Sequence, residues 1–143
     1  MDKELEQKLS LACWMAKHFF DRGMGSGTTG NLSFAHGGKV YITGGGTCFG
    51  TLTPEQFSAV DPVTLEYTGP KPSKELPLHL TAYRKSNAVG AVIHIHSTYA
   101  TLWSCLPHEN LQDCVPDYTP YLKMKLGTVG LVPYAKPGSP ELF

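Results

Sequence analysis

The sequence predicts an α/β domain, and three patterns carry that prediction. Apolar residues recur every three or four positions over residues 3–22, the period of a helix with one buried face. Two short runs, 32–35 and 40–43, flank His36-Gly37-Gly38-Lys39, which has the composition of a tight turn between paired strands. A third run, Val89-Gly90-Ala91-Val92-Ile93, reads as a buried strand, continues into His94-Ile95-His96 and then meets Ser97 and Thr98, residues that cap a following helix.

Composition narrows the partners. A chain of 143 residues is long enough for one domain with a substantial core. Its 12 Lys and Arg balance 12 Asp and Glu, which argues against nucleic acid or an anionic membrane as the main partner. The longest apolar runs are too short to span a bilayer, and residues 1–8 alternate charges without an apolar signal core. Cys13, Cys48, Cys105 and Cys114 form no C-x-x-C pair and read as free thiols of a reducing cytoplasm.

The first helix is expected to carry Leu5, Leu9, Ala12, Cys13, Ala16, Phe19 and Phe20 on its buried face and to end at Gly23 in a left-handed cap. Gly25-Ser26-Gly27-Thr28-Thr29-Gly30-Asn31 follows, a loop whose backbone can approach a ligand closely. The hairpin then places Asn31 and Thr43 at one end, where the first loop meets a second, Gly44-Gly45-Gly46-Thr47. Their N–H groups with Asn and Thr side chains suit an anion such as phosphate, and two ordinary turns would look the same. Neither G-K-[ST] nor G-x-G-x-x-G is present, so the two familiar nucleotide-binding patterns are not indicated.

Thr53-Pro54-Glu55 opens a short helix. Val60, Leu65 and Tyr67 read as strand pieces around Asp61-Pro62. After the rigid Gly69-Pro70-Lys71-Pro72, Ser73 is the expected N-cap of a helix to about Arg84 with Leu76, Leu80 and Tyr83 on one face. Lys74 and the first free N–H groups there can hold an anion. Glu75 suits the first turn through the helix dipole alone, and beside a metal pair it suits equally a ligand or a general base. His79, one turn on, reads as a support for such a site or as core.

Side chains alternate along a strand, so His94 and His96 point the same way, about 6 to 7 Å apart. That spacing lets two imidazoles share one metal ion, and it also suits a hydrogen-bonded pair at a strand end. Tyr99, Leu102, Trp103 and Leu106 mark a buried helix ended by Pro107, and 108–117 reads as an exposed loop. Residues 131–134 read as a strand, and Ser139-Pro140-Glu141 as a further helix start.

Gly30-Asn31-Leu32-Ser33, Thr43-Gly44, Lys71-Pro72-Ser73-Lys74-Glu75, Leu78-His79 and His94-Ile95-His96-Ser97 occur in the order and spacing of the class II aldolase/adducin head family. From about Leu9 to its end the chain resembles that family. Thr119-Pro120-Tyr121, Val132-Pro133-Tyr134-Ala135-Lys136-Pro137-Gly138 and the lysine-containing 71–75 motif make it most like the 3-oxo-tetronate 4-phosphate decarboxylases within it.

The resemblance implies a three-layer α/β/α fold around a central, largely antiparallel mixed sheet. It implies that Asn31, Thr43, Gly44, Ser73 and Lys74 bind a substrate phosphate. Glu75 would be the catalytic acid/base, able also to touch the metal, and Tyr121 would reach a neighbouring subunit's site. His94 and His96 would hold one Zn2+ per subunit, or another divalent first-row ion. The implied reaction decarboxylates a 3-oxo-tetronate 4-phosphate to dihydroxyacetone phosphate through a zinc-stabilised enediolate, in a cytoplasmic homotetramer with sites between subunits. A sugar-phosphate aldolase, epimerase or dehydratase of the same family is the alternative, and a non-catalytic adducin-head-like scaffold a third. The family's third histidine ligand would follow the last residue here, since no histidine occurs after His108. The expectation is therefore a single domain over 1–143 that lacks its C-terminal part.

Overall fold

The computed structural model describes residues 2–136 and 139. Helix α1 (Lys3–Asp21) opens with the Asp2 carboxylate accepting the Glu4 N–H at 3.0 Å. It closes at Gly23, whose φ of +70° lets its own N–H reach Phe20 O and the Met24 N–H reach Phe19 O. Strands β1 (Asn31–His36), β2 (Lys39–Thr43), β3 (Phe57–Val60), β4 (Tyr67–Thr68) and β5 (Ala91–His94) make one sheet in the order β4-β3-β2-β1-β5. Every strand pairing among the described residues is antiparallel.

The pleat sorts the sheet into two faces. Leu32, Phe34 and Phe57 lie on the face that packs on Leu9, Ala12 and Ala16 of α1, with Phe49 and Leu52 from the β2–β3 connection closing that core. Asn31, Ser33, Ile42, Ser58 and Val60 lie on the opposite face by register, and all five are buried. Helix α2 (Leu76–Lys85) covers that face, with His79 and Leu80 fully buried. One helix on each side of an antiparallel sheet gives the α/β/α layering.

Several local expectations are corrected. Helix α2 begins at Leu76, with Glu75 rather than Ser73 as its N-cap. The Ser73 N–H is held by Thr43 O at 3.1 Å, and a Gly44–Pro72 bridge continues the pairing, so this stretch stays extended beside β2. Leu65 has φ of +64° and belongs to the turn closed by Asp61 N–H on Glu66 O, not to a strand. The run 89–93 is not a buried strand: β5 is an outer strand of the sheet, and Ile93 keeps 40% of its surface exposed.

Helix α3 (Thr98–Ser104) forms under a Ser97 cap, as its sequence predicts, yet it buries no residue, and Tyr99 and Leu102 are exposed. Only Trp103 turns inward, donating its indole N–H to Cys114 O at 3.0 Å. Helix α4 (Pro120–Leu126) is likewise exposed. Residues 131–134 join no ladder; the Leu131 N–H bonds Leu111 O instead. The Ser139-Pro140-Glu141 helix start lies largely outside the described residues. Cys13, Cys48, Cys105 and Cys114 are all free thiols. No described helix is long and apolar enough to cross a membrane.

Candidate metal and anion site

The start of β1 carries the site. Gly30 comes first, with φ of +87°, and a Cβ there would lie 2.9 Å from the His94 carbonyl oxygen. Only glycine lets the first loop pass this close to β5. Asn31 and His94 are direct partners across β1 and β5, so their side chains share a face. Glu75, at the N-cap of α2, closes the group from above.

One donor atom from each of Glu75, His94 and His96 lies within 4.8 Å of the others. The His94 and His96 rings meet edge to face, with centroids 5.0 Å apart. His94 Nε2 sits 3.5 Å from Glu75 Oε2 and is buried without a hydrogen-bond partner among the described residues. A tetrahedral ion with bonds of about 2.05 Å needs ligand atoms about 3.3 Å apart. The His94–Glu75 pair is near that separation, and two imidazoles and a carboxylate within 4.8 Å of one another, with one ring nitrogen unsatisfied, suit a divalent first-row cation after a small closing of the group. Burial holds the His94 pKa below its ordinary value against the opposing pull of Glu75, and His96 adds to the lowering. A neutral imidazole is the form that ligates.

A cleft of about 720 Å³ opens beside this group. The first glycine loop (Thr28, Thr29, Gly30), the second (Gly44, Gly45, Gly46) and the 70–75 segment line it together with Asn31, His94 and His96. The Gly45 N–H is spent on Lys71 O at 3.0 Å, which ties the second loop to the 70–75 segment. Lys74 is exposed at this wall, and Lys71 is exposed beside it. The cleft therefore sets cations and hydroxyls a short way from the carboxylate and imidazoles.

The predicted residues do not all arrive there in the same way. Gly44, Ser73 and Lys74 line the cleft. Thr43 does not: it is fully buried and its hydroxyl accepts the Leu32 N–H at 3.2 Å. Its carbonyl, by accepting the Ser73 N–H, holds the two loops together. Asn31 is 6% exposed, and both ends of its amide are engaged. Nδ2 donates to Glu75 Oε2 at 2.6 Å, and Oδ1 lies 2.5 Å from His79 Nε2. Tyr121 sits on α4, 70% exposed, and does not line the cleft of its own chain.

Behind Asn31 lies a buried polar set that sequence patterns do not assemble. His79 Nδ1 is 2.7 Å from Ser33 Oγ, and Ser33 Oγ is 2.8 Å from the Tyr83 hydroxyl. Burial pushes the His79 pKa down to about 4, with His94 adding to the shift and Glu75 opposing it, so the ring is neutral at pH 7. Burial raises the Tyr83 phenol, which stays protonated. Two signals are available from sequence: His79, one turn beyond Glu75, and Ser33. Ser33 is a polar residue within the otherwise apolar run 32–35, normally read as facing solvent, and here it is fully buried.

Comparison with known proteins fits this geometry. The profile of the class II aldolase and adducin N-terminal domain family matches residues 10–142. The chain belongs to that family. A 3-oxo-tetronate 4-phosphate decarboxylase of Pectobacterium atrosepticum is 42% identical over 125 residues, which cover 87% of this chain and 57% of the relative. An L-fuculose phosphate aldolase of Methanococcus vannielii is 37% identical over 123 residues, covering 86% of this chain and 65% of the relative. The crystal structure of YgbL from Escherichia coli superposes with a TM-score of 0.92 at 36% identity, over 98% of this chain and 68% of that one. The chain spans 57 to 61% of the length of the decarboxylases of Pectobacterium and Escherichia coli that it matches. As a class II aldolase-family chain it has the α/β fold that its sequence predicts.

Proposed function

We propose that this protein is a metal-dependent carbon–carbon lyase that decarboxylates a 3-oxo-tetronate 4-phosphate to dihydroxyacetone phosphate. The observation that carries the proposal is the Glu75–His94–His96 group at the wall of a cleft that also presents Ser73, Lys74 and two glycine loops. The names of the decarboxylase relatives supply the substrate class.

Ser73, Lys74 and the Gly44 loop take the phosphate in this reading, and Lys74 provides charge at the open side of the cleft. Asn31 has one amide hydrogen beyond the bond to Glu75 and can offer it to the same ligand. Thr43 acts through its carbonyl, as a brace between the loops. His94, His96 and, in the resting site, Glu75 would hold zinc, which when bound would supply Lewis acidity at this wall of the cleft.

Glu75 is the proton carrier. As carbon dioxide leaves, the electrons of the broken bond are shared between the carbon that carried the carboxyl group and the oxygen of the adjacent keto group. The protonated Glu75 carboxyl delivers its hydrogen to that carbon, which yields the ketone product, and it is reprotonated from solvent. The Asn31 bond keeps Oε2 fixed while this happens.

Tyr121 is assigned to the cleft of a neighbouring subunit in a homotetramer. Its 70% exposure and its absence from its own cleft support that role, and the exposed Tyr99, Leu102 and Met124 give the assembly apolar surface to bury. Light scattering at a tetramer mass is expected. The four free thiols support a cytoplasmic setting.

The aldolase relatives make the competing reaction explicit. The test is an assay of metal-loaded protein for carbon dioxide released from a 3-oxo-tetronate 4-phosphate, run beside aldehyde released from a ketose 1-phosphate. Carbon dioxide release with little aldehyde is expected. The reverse result would assign the site to aldol cleavage.

A further inference from the structure

The buried contacts behind Glu75 have a direction. A carboxylate only accepts, so Asn31 presents its NH2 to Glu75 Oε2 and its oxygen to His79. His79 Nε2 must then carry the ring hydrogen and donate it to Asn31 Oδ1. In a neutral ring Nδ1 is left as an acceptor, so the Ser33 hydroxyl donates to it. Ser33 has then used its one hydrogen and accepts from the Tyr83 hydroxyl. Each hydrogen bond fixes the next, from Tyr83, one turn beyond His79 on the same face of α2, to the carboxylate in the cleft.

We propose that Tyr83, Ser33, His79 and Asn31 form a one-way hydrogen-bond chain that holds Glu75 in its working orientation, with Asn31 and His79 as positioning residues for the reaction. The inference rests on the reading of Glu75 as the acid/base. No proton moves along the chain during turnover; its task is geometric. Glu75 stands at a helix N-cap with no side-chain cap of its own, and among the described residues its only ion-pair partner is His94. Its bond to Asn31, at 2.6 Å, is shorter than its 3.5 Å approach to His94 Nε2. Asn31 in turn is held by β1, and His79 by α2, so the chain couples the two layers of the fold to the orientation of one side chain. Ser33, Asn31 and His79 are each buried, which makes a missing partner costly and a wrong rotamer of any member unfavourable.

The experiment pairs activity with a direct view of the ring. In the unaltered protein, metal-free, 15N shifts of the His79 imidazole are expected to report the Nε2–H form at neutral pH. An Nδ1–H form would overturn the proposal, because Asn31 would then have to turn its amide away from Glu75. In the metal-loaded protein, His79→Leu should lower kcat for a 3-oxo-tetronate 4-phosphate by about 10- to 100-fold, the usual effect of losing a support behind a site. KM should change little, since the phosphate wall is untouched. His79→Gln, whose amide N–H can reach Asn31, should recover most of kcat without recovering the melting temperature. Equal loss of kcat in His79→Leu and His79→Gln would make His79 a packing residue only, and that overturns the proposal. Should His79→Leu not fold, the ring shifts and the His79→Gln profile still decide. Near-native turnover in Glu75→Gln would remove the acid/base reading and this inference with it. Loss in Glu75→Gln with native kcat in His79→Leu would overturn the inference alone.

Discussion

His94 Nε2 is buried beside a carboxylate oxygen without accepting or donating a hydrogen bond among the described residues. Such an atom is costly unless something binds it. His94→Ala is therefore expected to cut metal content after dialysis by about tenfold or more, a loss at least as large as that of a supporting residue. Elemental analysis of the variant checks this, and full occupancy would remove His94 from the ligand set. His79 gives a separate expectation. Its ring is fully buried and its pKa falls from 6.5 to about 4 in the folded chain. The unfolded chain thus binds a proton that the folded chain refuses between those values. Stability unaffected by this group above pH 6.5 should fall as pH drops toward 4, by on the order of 3 kcal/mol in all. Urea titrations of the metal-free protein between pH 7 and 4 measure it. His79→Gln should flatten the dependence.

At the scale of elements, the entry of β1 is the point where backbone and site meet. Gly30 takes φ of +87°, and a Cβ would press within 2.9 Å of the His94 carbonyl. Gly30→Ala should therefore cost about 1 to 3 kcal/mol, the usual range for a strained backbone position, and should weaken metal binding by shifting β5. Gly25→Ala, where a Cβ would meet only Thr29 O at 3.8 Å, is the control and should be nearly neutral. Thermal melts and metal titrations of both compare the two. The elements legible from sequence are those whose signal is local. The α1 stripe, the Gly37-Gly38 turn and the Ser97 cap all lie within a few residues of what they determine. The α2 start was not legible, because Ser73 is held by a bond from Thr43, thirty positions earlier. The burial expected of 89–93 and of α3 also failed, since apolar periodicity gives a face and not the partner that covers it.

The described residues make a sheet with α1 packed on one face and α2 on the other, and the candidate site lies where the start of β1, the start of α2 and the end of β5 converge. The closeness of His94 and His96 could be read from sequence by the two-residue period of a strand, although β5 itself ends at His94. The link from Asn31 to Glu75 could not, being 44 residues long, nor could the contact of Ser33 with Tyr83, at 50. Long-range polar pairing of this kind leaves no periodic mark. If these layers bring Glu75 to the cleft as an acid/base, Glu75→Gln removes the proton it carries and little else. The amide preserves shape but cannot carry the proton. Turnover, zinc content and affinity for a phosphorylated product analogue are measured on one metal-loaded preparation. Turnover should fall by about 10² to 10⁴ while zinc and analogue binding largely remain. Near-normal turnover would rule out that role, and a fall matched by loss of zinc would make Glu75 mainly a ligand.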